Sequence, residues 1–127
     1  MKYNHDYYIM TMTLPVSTRS RKLMKVKGSD RFVMWSASNE HRDTPELFIH
    51  KNDHGDYFLS DVQTGMMVYT DTKLKNIMKW LDDPDNLKRL VEAYQTPFIA
   101  KQKAIFQEMI AAAERATTSK TKGNENA

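Results

Sequence analysis

The sequence predicts an α+β domain in which an antiparallel meander of about five to six strands is followed by three helices packed on one face of the sheet. Two observations favour this fold. Short apolar runs separated by glycine-containing turns occupy the first 70 residues, which is typical of antiparallel strands. From residue 72 onward the apolar side chains recur every three or four positions, the spacing of amphipathic helices. We therefore expect one domain over residues 1–116, with strands between 7 and 70 and helices between 72 and 116.

The first strand is predicted over Tyr7 to Leu14, because its apolar and polar residues alternate. The alternation places Tyr8, Met10, Met12 and Leu14 on the apolar face of a half-buried strand, with Thr11 and Thr13 on the other face.

Five further strands are expected, each bounded by turn residues. They lie at 23–26, 32–35, 47–49, 57–59 and 66–69. Glycine accommodates the backbone conformations of tight turns, and we interpret Gly28, Gly55 and Gly65 as turn positions. Gly28 in particular predicts a hairpin between the second and third strands.

The first helix is predicted from Leu74, Ile77, Met78 and Leu81, which form one apolar stripe at helical spacing. Asp71 precedes this stripe and is a suitable N-cap, since a carboxylate can accept hydrogen bonds from the free N–H groups of the first turn.

The second and third helices are predicted from a repeated pairing of a capping residue with proline. Asp83 caps the second helix and Pro84 fits its first position. Pro97 begins the third helix, which we expect to end near Ala116. The tail at 117–127 is polar and is expected to be disordered.

Composition favours a soluble cytoplasmic protein. The chain has no cysteine, which excludes disulfides and thiolate metal sites and fits a reducing compartment. No window is apolar enough for a membrane helix, and the N-terminal segment lacks the pattern of a signal peptide. We expect no cofactor, since no phosphate-binding loop is present.

The charge of the chain is uneven. Residues 1–43 carry eight Lys/Arg against four Asp/Glu, a net charge of +4, whereas residues 44–71 carry one Lys against five Asp/Glu, a net charge of −4. Different faces of the molecule are therefore expected to attract different partners.

A basic run without acidic residues has two interpretations, of which the first is a nucleic-acid contact. Its members are Arg19, Arg21, Lys22, Lys25 and Lys27, and such side chains bind phosphates. The alternative is a strand edge on which lysines discourage aggregation.

Methionine is abundant in the predicted strands, although it is not a preferred strand residue. Its flexibility suits adaptable binding surfaces, and the alternative is a loosely filled core. We predict a protein interface that combines apolar and acidic side chains: Trp35, Tyr57, Met66, Met67, Tyr69, Asp53, Asp56 and Asp61.

Three sets of polar residues contain residue types found in metal or catalytic sites, and each has a simpler interpretation. His50 and His54 with nearby carboxylates resemble metal ligands, but a polar hairpin tip explains them. The segment 36–43 contains the residue types of a catalytic triad without its geometry. Asp82 and Asp85 flank the capping Asp83 and suit a helix N-terminus.

These observations favour a non-enzymatic binding protein that occupies a surface of a larger protein or nucleoprotein. We hypothesise an inhibitor of nucleic-acid machinery of the kind carried by phages or mobile elements. Direct DNA or RNA binding through the basic run is the alternative. Homodimerisation through the third helix or a strand edge is a further prediction.

Overall fold

The structure is a computed structural model, and it describes residues 1–12, 21–34 and 44–125. It confirms a mixed α+β fold in which a six-stranded antiparallel sheet precedes three C-terminal helices. The elements are β1 (His5–Met12), β2 (Arg21–Gly28), β3 (Phe32–Val33), β4 (Glu46–Lys51), β5 (Tyr57–Asp61), β6 (Met67–Asp71), α1 (Leu74–Asp82), α2 (Pro84–Tyr94) and α3 (Pro97–Glu125).

The sheet has the order β1-β2-β4-β5-β6, with β3 paired to β4 beside this path. β2 and β3 do not form the predicted hairpin, because both lie against β4. Gly28 is the last residue of β2 and pairs with both His5 and His50. A Cβ there would lie 2.7 Å from the Phe48 ring and 2.9 Å from the Tyr7 ring. Glycine is therefore required for close packing of two aromatic rings and not for a turn.

The sheet is curled, so that its two ends in the strand order approach each other. The Met10 amide of β1 donates a 2.9 Å hydrogen bond to the carbonyl of Gly65, in the loop that leads to β6. On the inside of the curl, the Tyr7 and Phe48 rings stack with centroids 3.9 Å apart. The curl gives the sheet a concave face and a convex face.

The convex face is covered by the helices and contains the larger core cluster. Leu47, Ile49 and Leu59 are completely buried there against Ile77 of α1, with Met34 beside them. Since residues i and i+2 of a strand share a face, the aliphatic residues of β4 and β5 form one continuous layer. We call this the helix-covered face.

The buried side of β1 differs from the prediction. Tyr7 and Ile9 are buried, whereas Tyr8 and Met10, on the predicted apolar face, are only half-buried. β1 carries apolar residues on both faces, so alternation alone did not identify the side that the curl buries.

A buried carboxylate connects α2 to the sheet. Asp61 at the end of β5 accepts hydrogen bonds from the Tyr94 hydroxyl of α2 and, at 2.6 Å, from the Thr64 hydroxyl. Burial raises the pKa of Asp61, while these hydrogen bonds act in the opposite direction.

The N-termini of α1 and α2 are capped differently. Asp83 accepts a 2.9 Å hydrogen bond from the Asp85 amide, and Pro84 occupies the first turn of α2, which confirms the predicted cap. The predicted cap of α1 is wrong, because Lys73 occupies that position. Asp71 instead ends β6 and accepts hydrogen bonds from the Lys73 amide and the Asn76 side chain.

α3 packs on the sheet through Gln102 and Phe106, which are both buried. Arg21 of β2 donates a 2.7 Å hydrogen bond to Gln102. The helix extends to Glu125 and not only to the predicted end near Ala116; the apolar stripe ends there, but the helical backbone continues. Among the described residues, no helix combines the length and apolar character needed to cross a bilayer.

Candidate binding site

The concave face of the curled sheet contains an open cavity of about 470 Å³. Its apolar lining comes from four strands and consists mainly of Ile9, Met24, Val26, Phe58 and Met67. Antiparallel register explains this grouping, because directly opposed residues point to the same side. Ile9 opposes Met24, and His50 opposes Phe58. We call this side of the sheet the cavity face.

Two methionines of the cavity remain partly open to solvent. Met24 is 45% exposed and Met67 is 57% exposed. The methionine side chain is flexible and polarizable, so it can adapt to different apolar surfaces. An apolar group that entered the cavity would bury both of them.

The polar lining of the cavity includes a buried histidine–serine pair, with Lys51, Asn52 and Asp53 beside it. His50 Nε2 lies 2.8 Å from Ser60 Oγ, and the imidazole lies between the Phe48 and Phe58 rings at 5.3 Å from each. Burial lowers the pKa of His50 to about 4, because the charged form loses its hydration. The imidazole is therefore neutral near pH 7, and this wall of the cavity offers hydrogen bonding without charge.

A segment of β2 beside the cavity pairs on one side only within the described part of the chain. β2 pairs with β1 along its whole length but with β4 only at Gly28. Within residues 1–12, 21–34 and 44–125, no other strand pairs with Arg21–Lys27 on the side away from β1. We call this segment the β2 edge. Met24 and Val26 belong both to it and to the cavity lining.

The basic run is split between the two sides of β2. Lys22 opposes Thr11 and lies on the cavity face, whereas Arg21, Lys25 and Lys27 lie on the other face. All four are exposed, but three have partners in the chain. Arg21 binds Gln102, Lys27 forms a 2.6 Å ion pair with Asp6, and the Lys25 ammonium lies 5.6 Å from the Tyr8 ring centroid. Arg19 lies outside the described residues.

The predicted protein-interface residues do not form one patch. Met67 lines the cavity, whereas Tyr57 and Tyr69 pack with the core cluster of the helix-covered face. Tyr69 stacks on Trp80 at 5.9 Å. Met66 is half-buried in the loop before β6, and Trp35 lies outside the described residues.

The acidic members of the predicted interface are also separated. Asp61 is only 3% exposed, so it does not belong to a contact surface. Asp56 is half-buried and accepts a hydrogen bond from the Asn52 side chain. Asp53 is exposed and lines the cavity. The acidic middle of the sequence therefore does not become a single acidic surface.

The alternative chemical sites are not assembled in the described part of the chain. His50 lies in the cavity wall, whereas His54 is exposed in the β4–β5 turn. Over the described residues, no group of three or more His, Asp or Glu side chains is placed to hold a metal ion. The segment 36–43 lies outside those residues.

The cavity was missed at the level of sequence, although one signal was present. Tyr7 and Ile9 give β1 a second apolar face, which is expected only when both sides of a strand are covered or used.

No protein-family model matches the chain, and neither a curated protein nor a solved structure is significantly similar to it. The cavity and the β2 edge are the features from which a function is inferred.

Proposed function

We propose that this chain is a non-enzymatic binding protein that holds an apolar group of a larger protein partner in the cavity. The observation that carries the proposal is the cavity itself, which is open, apolar and bounded by two exposed methionines. Its volume lies in the range of ligand-binding clefts.

The energetics favour an apolar occupant. Covering the exposed part of Met24 and of Met67 would contribute about 1 kcal/mol for each side chain. The neutral His50 adds no charge to desolvate, and its bond to Ser60 already satisfies one polar atom of each residue. An apolar group that contacts this wall therefore gains contact area there without desolvating a charge.

The surface beside the cavity favours a protein over an isolated small molecule. The β2 edge continues the cavity outward and presents four exposed cationic side chains, from Arg21 to Lys27. A partner that fills the cavity and also touches this edge must be larger than the cavity, and negative charge on the partner would favour contact with these side chains. An inhibitor or adaptor that occupies an acidic surface of nucleic-acid machinery would fit this description.

Site-specific photocrosslinking in the native host tests the proposal. A photoreactive phenylalanine analogue replaces Met67 in one variant and Val33 in the matched control. Val33 is also exposed, at 60%, but lies on β3 and outside the cavity lining. We expect a discrete crosslinked protein from position 67 and none from position 33.

Three results would contradict the proposal. Equal crosslinking from both positions would indicate nonspecific contact, and no protein adduct at position 67 would exclude a partner there. An adduct of low mass would assign the cavity to a small molecule. Circular dichroism of both variants establishes that the fold is retained.

Direct nucleic-acid binding through the basic run remains the alternative proposal. Binding of labelled DNA and RNA across a salt series separates it from the leading one. The alternative requires an affinity that falls steeply with salt concentration. No binding at low salt would remove it.

A further inference from the structure

We propose that the partner contributes an extended acidic segment, which adds to the β2 edge as a further strand and directs alternate apolar side chains into the cavity. This inference rests on the proposed function, because it requires a protein partner. It adds the conformation and the chemical pattern of the segment that is bound.

The β2 edge has the backbone needed for strand addition. Arg21–Lys27 is fully extended and pairs with β1 on one side only, as far as the described residues go. Such an edge presents N–H and C=O groups that a peptide can pair with. Its seven residues match the length of an ordinary strand.

The alternation of β2 sets the pattern of the incoming segment. Met24 and Val26 line the cavity, whereas Lys25 and Lys27 lie on the opposite side of the strand. A strand added beside β2 has the same two-residue period. Its inward residues would contact the cavity, and its outward residues would lie beside the lysines.

Charge then decides which side chains are favourable at each position. Lysines on a strand edge disfavour pairing with another lysine-bearing edge. Exposed Lys25 attracts glutamate or aspartate at the nearest outward position, whereas Lys27 already forms an ion pair with Asp6. The inward positions would face the apolar lining formed by Ile9, Met24 and Val26, so these positions are expected to be apolar.

A labelled ten-residue peptide of alternating glutamate and leucine is the probe. Its binding to the full chain is measured by fluorescence anisotropy. Two further peptides carry N-methyl groups on alternate amides, one on each edge of the extended peptide. Strand addition predicts that one N-methylated peptide loses at least about tenfold in affinity and that the other does not.

A pair of charge-reversal variants tests the electrostatic part. Lys25→Glu should weaken binding of the acidic peptide by about tenfold and favour a lysine–leucine peptide instead. Lys88→Glu, an exposed residue of α2, changes the net charge equally and should leave the preference for the acidic peptide unchanged.

Three outcomes would overturn the inference. The first is that the parent peptide fails to bind, and the second is that both N-methylated peptides bind equally well. The third is that Lys25→Glu and Lys88→Glu have the same effect on the preference for the acidic peptide. If position 67 still crosslinks a protein in the host, the cavity function stands and only strand addition is refuted. If neither experiment shows binding, the proposed function fails as well.

Discussion

The two faces of the sheet are built from the same strands but contain different kinds of side chain. On the helix-covered face, Leu47, Ile49 and Leu59 are aliphatic and completely buried. On the cavity face, the same strands present Phe48, His50 and Ser60, and neighbouring strands add partly exposed methionines. The helices therefore cover only one of the two apolar faces of the sheet. We interpret the first face as the source of stability and the second as a binding surface.

Truncation of one side chain on each face should show the largest difference. Leu59→Ala leaves a cavity in a completely packed layer and should lower the free energy of unfolding by about 2–5 kcal/mol. Met67→Ala removes a side chain that is more than half exposed and should cost less than about 1 kcal/mol. Chemical denaturation of both variants measures this, and equal losses would contradict the distinction between the faces.

Substitution of Gly65, in the loop that leads to β6, should give the next largest loss of stability. Gly65 has φ +69°, and a Cβ there would lie 2.4 Å from the Phe106 ring. Gly65→Ala should therefore cost about 2–4 kcal/mol, from the left-handed backbone and from overpacking. Gly55→Ala is the matched control, because Gly55 has φ +83° with no atom within 4 Å of the added Cβ.

In the control only the left-handed backbone conformation is unfavourable, so Gly55→Ala should lower the free energy of unfolding by about 1–2 kcal/mol. Thermal and chemical denaturation compare the two variants. If both glycine variants lose the same free energy, the close approach of α3 to the loop is not present in solution.

Acidification should act on the cavity face through His50. The pKa of His50 is lowered from 6.5 to about 4 by burial, so the unfolded chain binds the proton more readily. The free energy of unfolding should therefore fall as pH decreases from about 6.5 to 4, by up to about 3 kcal/mol, and level off below that. Above pH 6.5 the residue is neutral in both states and contributes no slope.

His50→Gln should flatten this part of the pH profile. Asp61 contributes with the opposite sign, because its pKa is raised, but it is present in both proteins and cancels in the comparison. Denaturation curves at several pH values measure the difference. An unchanged profile in the variant would show that His50 is not buried.

The smallest loss of stability is expected on removal of the hydrogen bond between α2 and the helix-covered face. Tyr94→Phe removes the hydroxyl that donates to buried Asp61 and should cost about 1–2 kcal/mol. Tyr69→Phe removes a hydroxyl that bonds Asp71 at 3.3 Å, and no measurable loss is expected. Equal losses of free energy in the two variants would mean that the buried Tyr94–Asp61 hydrogen bond adds no more stability than the Tyr69–Asp71 hydrogen bond.

Much of the fold could be predicted because its signals are local. The stripe around Ile77 and the cap at Asp83 are patterns within a few residues, and both lie where the sequence places them. Gly28 was misinterpreted because its role depends on Tyr7 and Phe48, which are far away in the sequence. Local patterns cannot reveal which distant rings approach a backbone.

The candidate site was less predictable than the fold for the same reason. The methionines of the predicted strands indicated a binding surface, but the predicted patch combined Met67 with Tyr69, which the structure places on different faces. A bulge at Leu59/Ser60 and the curl of the sheet decide which of these side chains share a face. His50 was considered as a metal ligand, whereas burial beside Ser60 makes it a neutral part of the cavity wall.

The methionines provide the most direct test of the claim that binding occurs on the cavity face. NMR spectra of the protein with ¹³C-labelled methionine methyl groups are recorded during titration with the acidic peptide probe. Met24 and Met67 report on the cavity, and Met34 and Met78 report on the helix-covered core. We predict that the first two signals shift and that the last two do not; shifts at Met34 and Met78 with unchanged Met24 and Met67 would contradict the account.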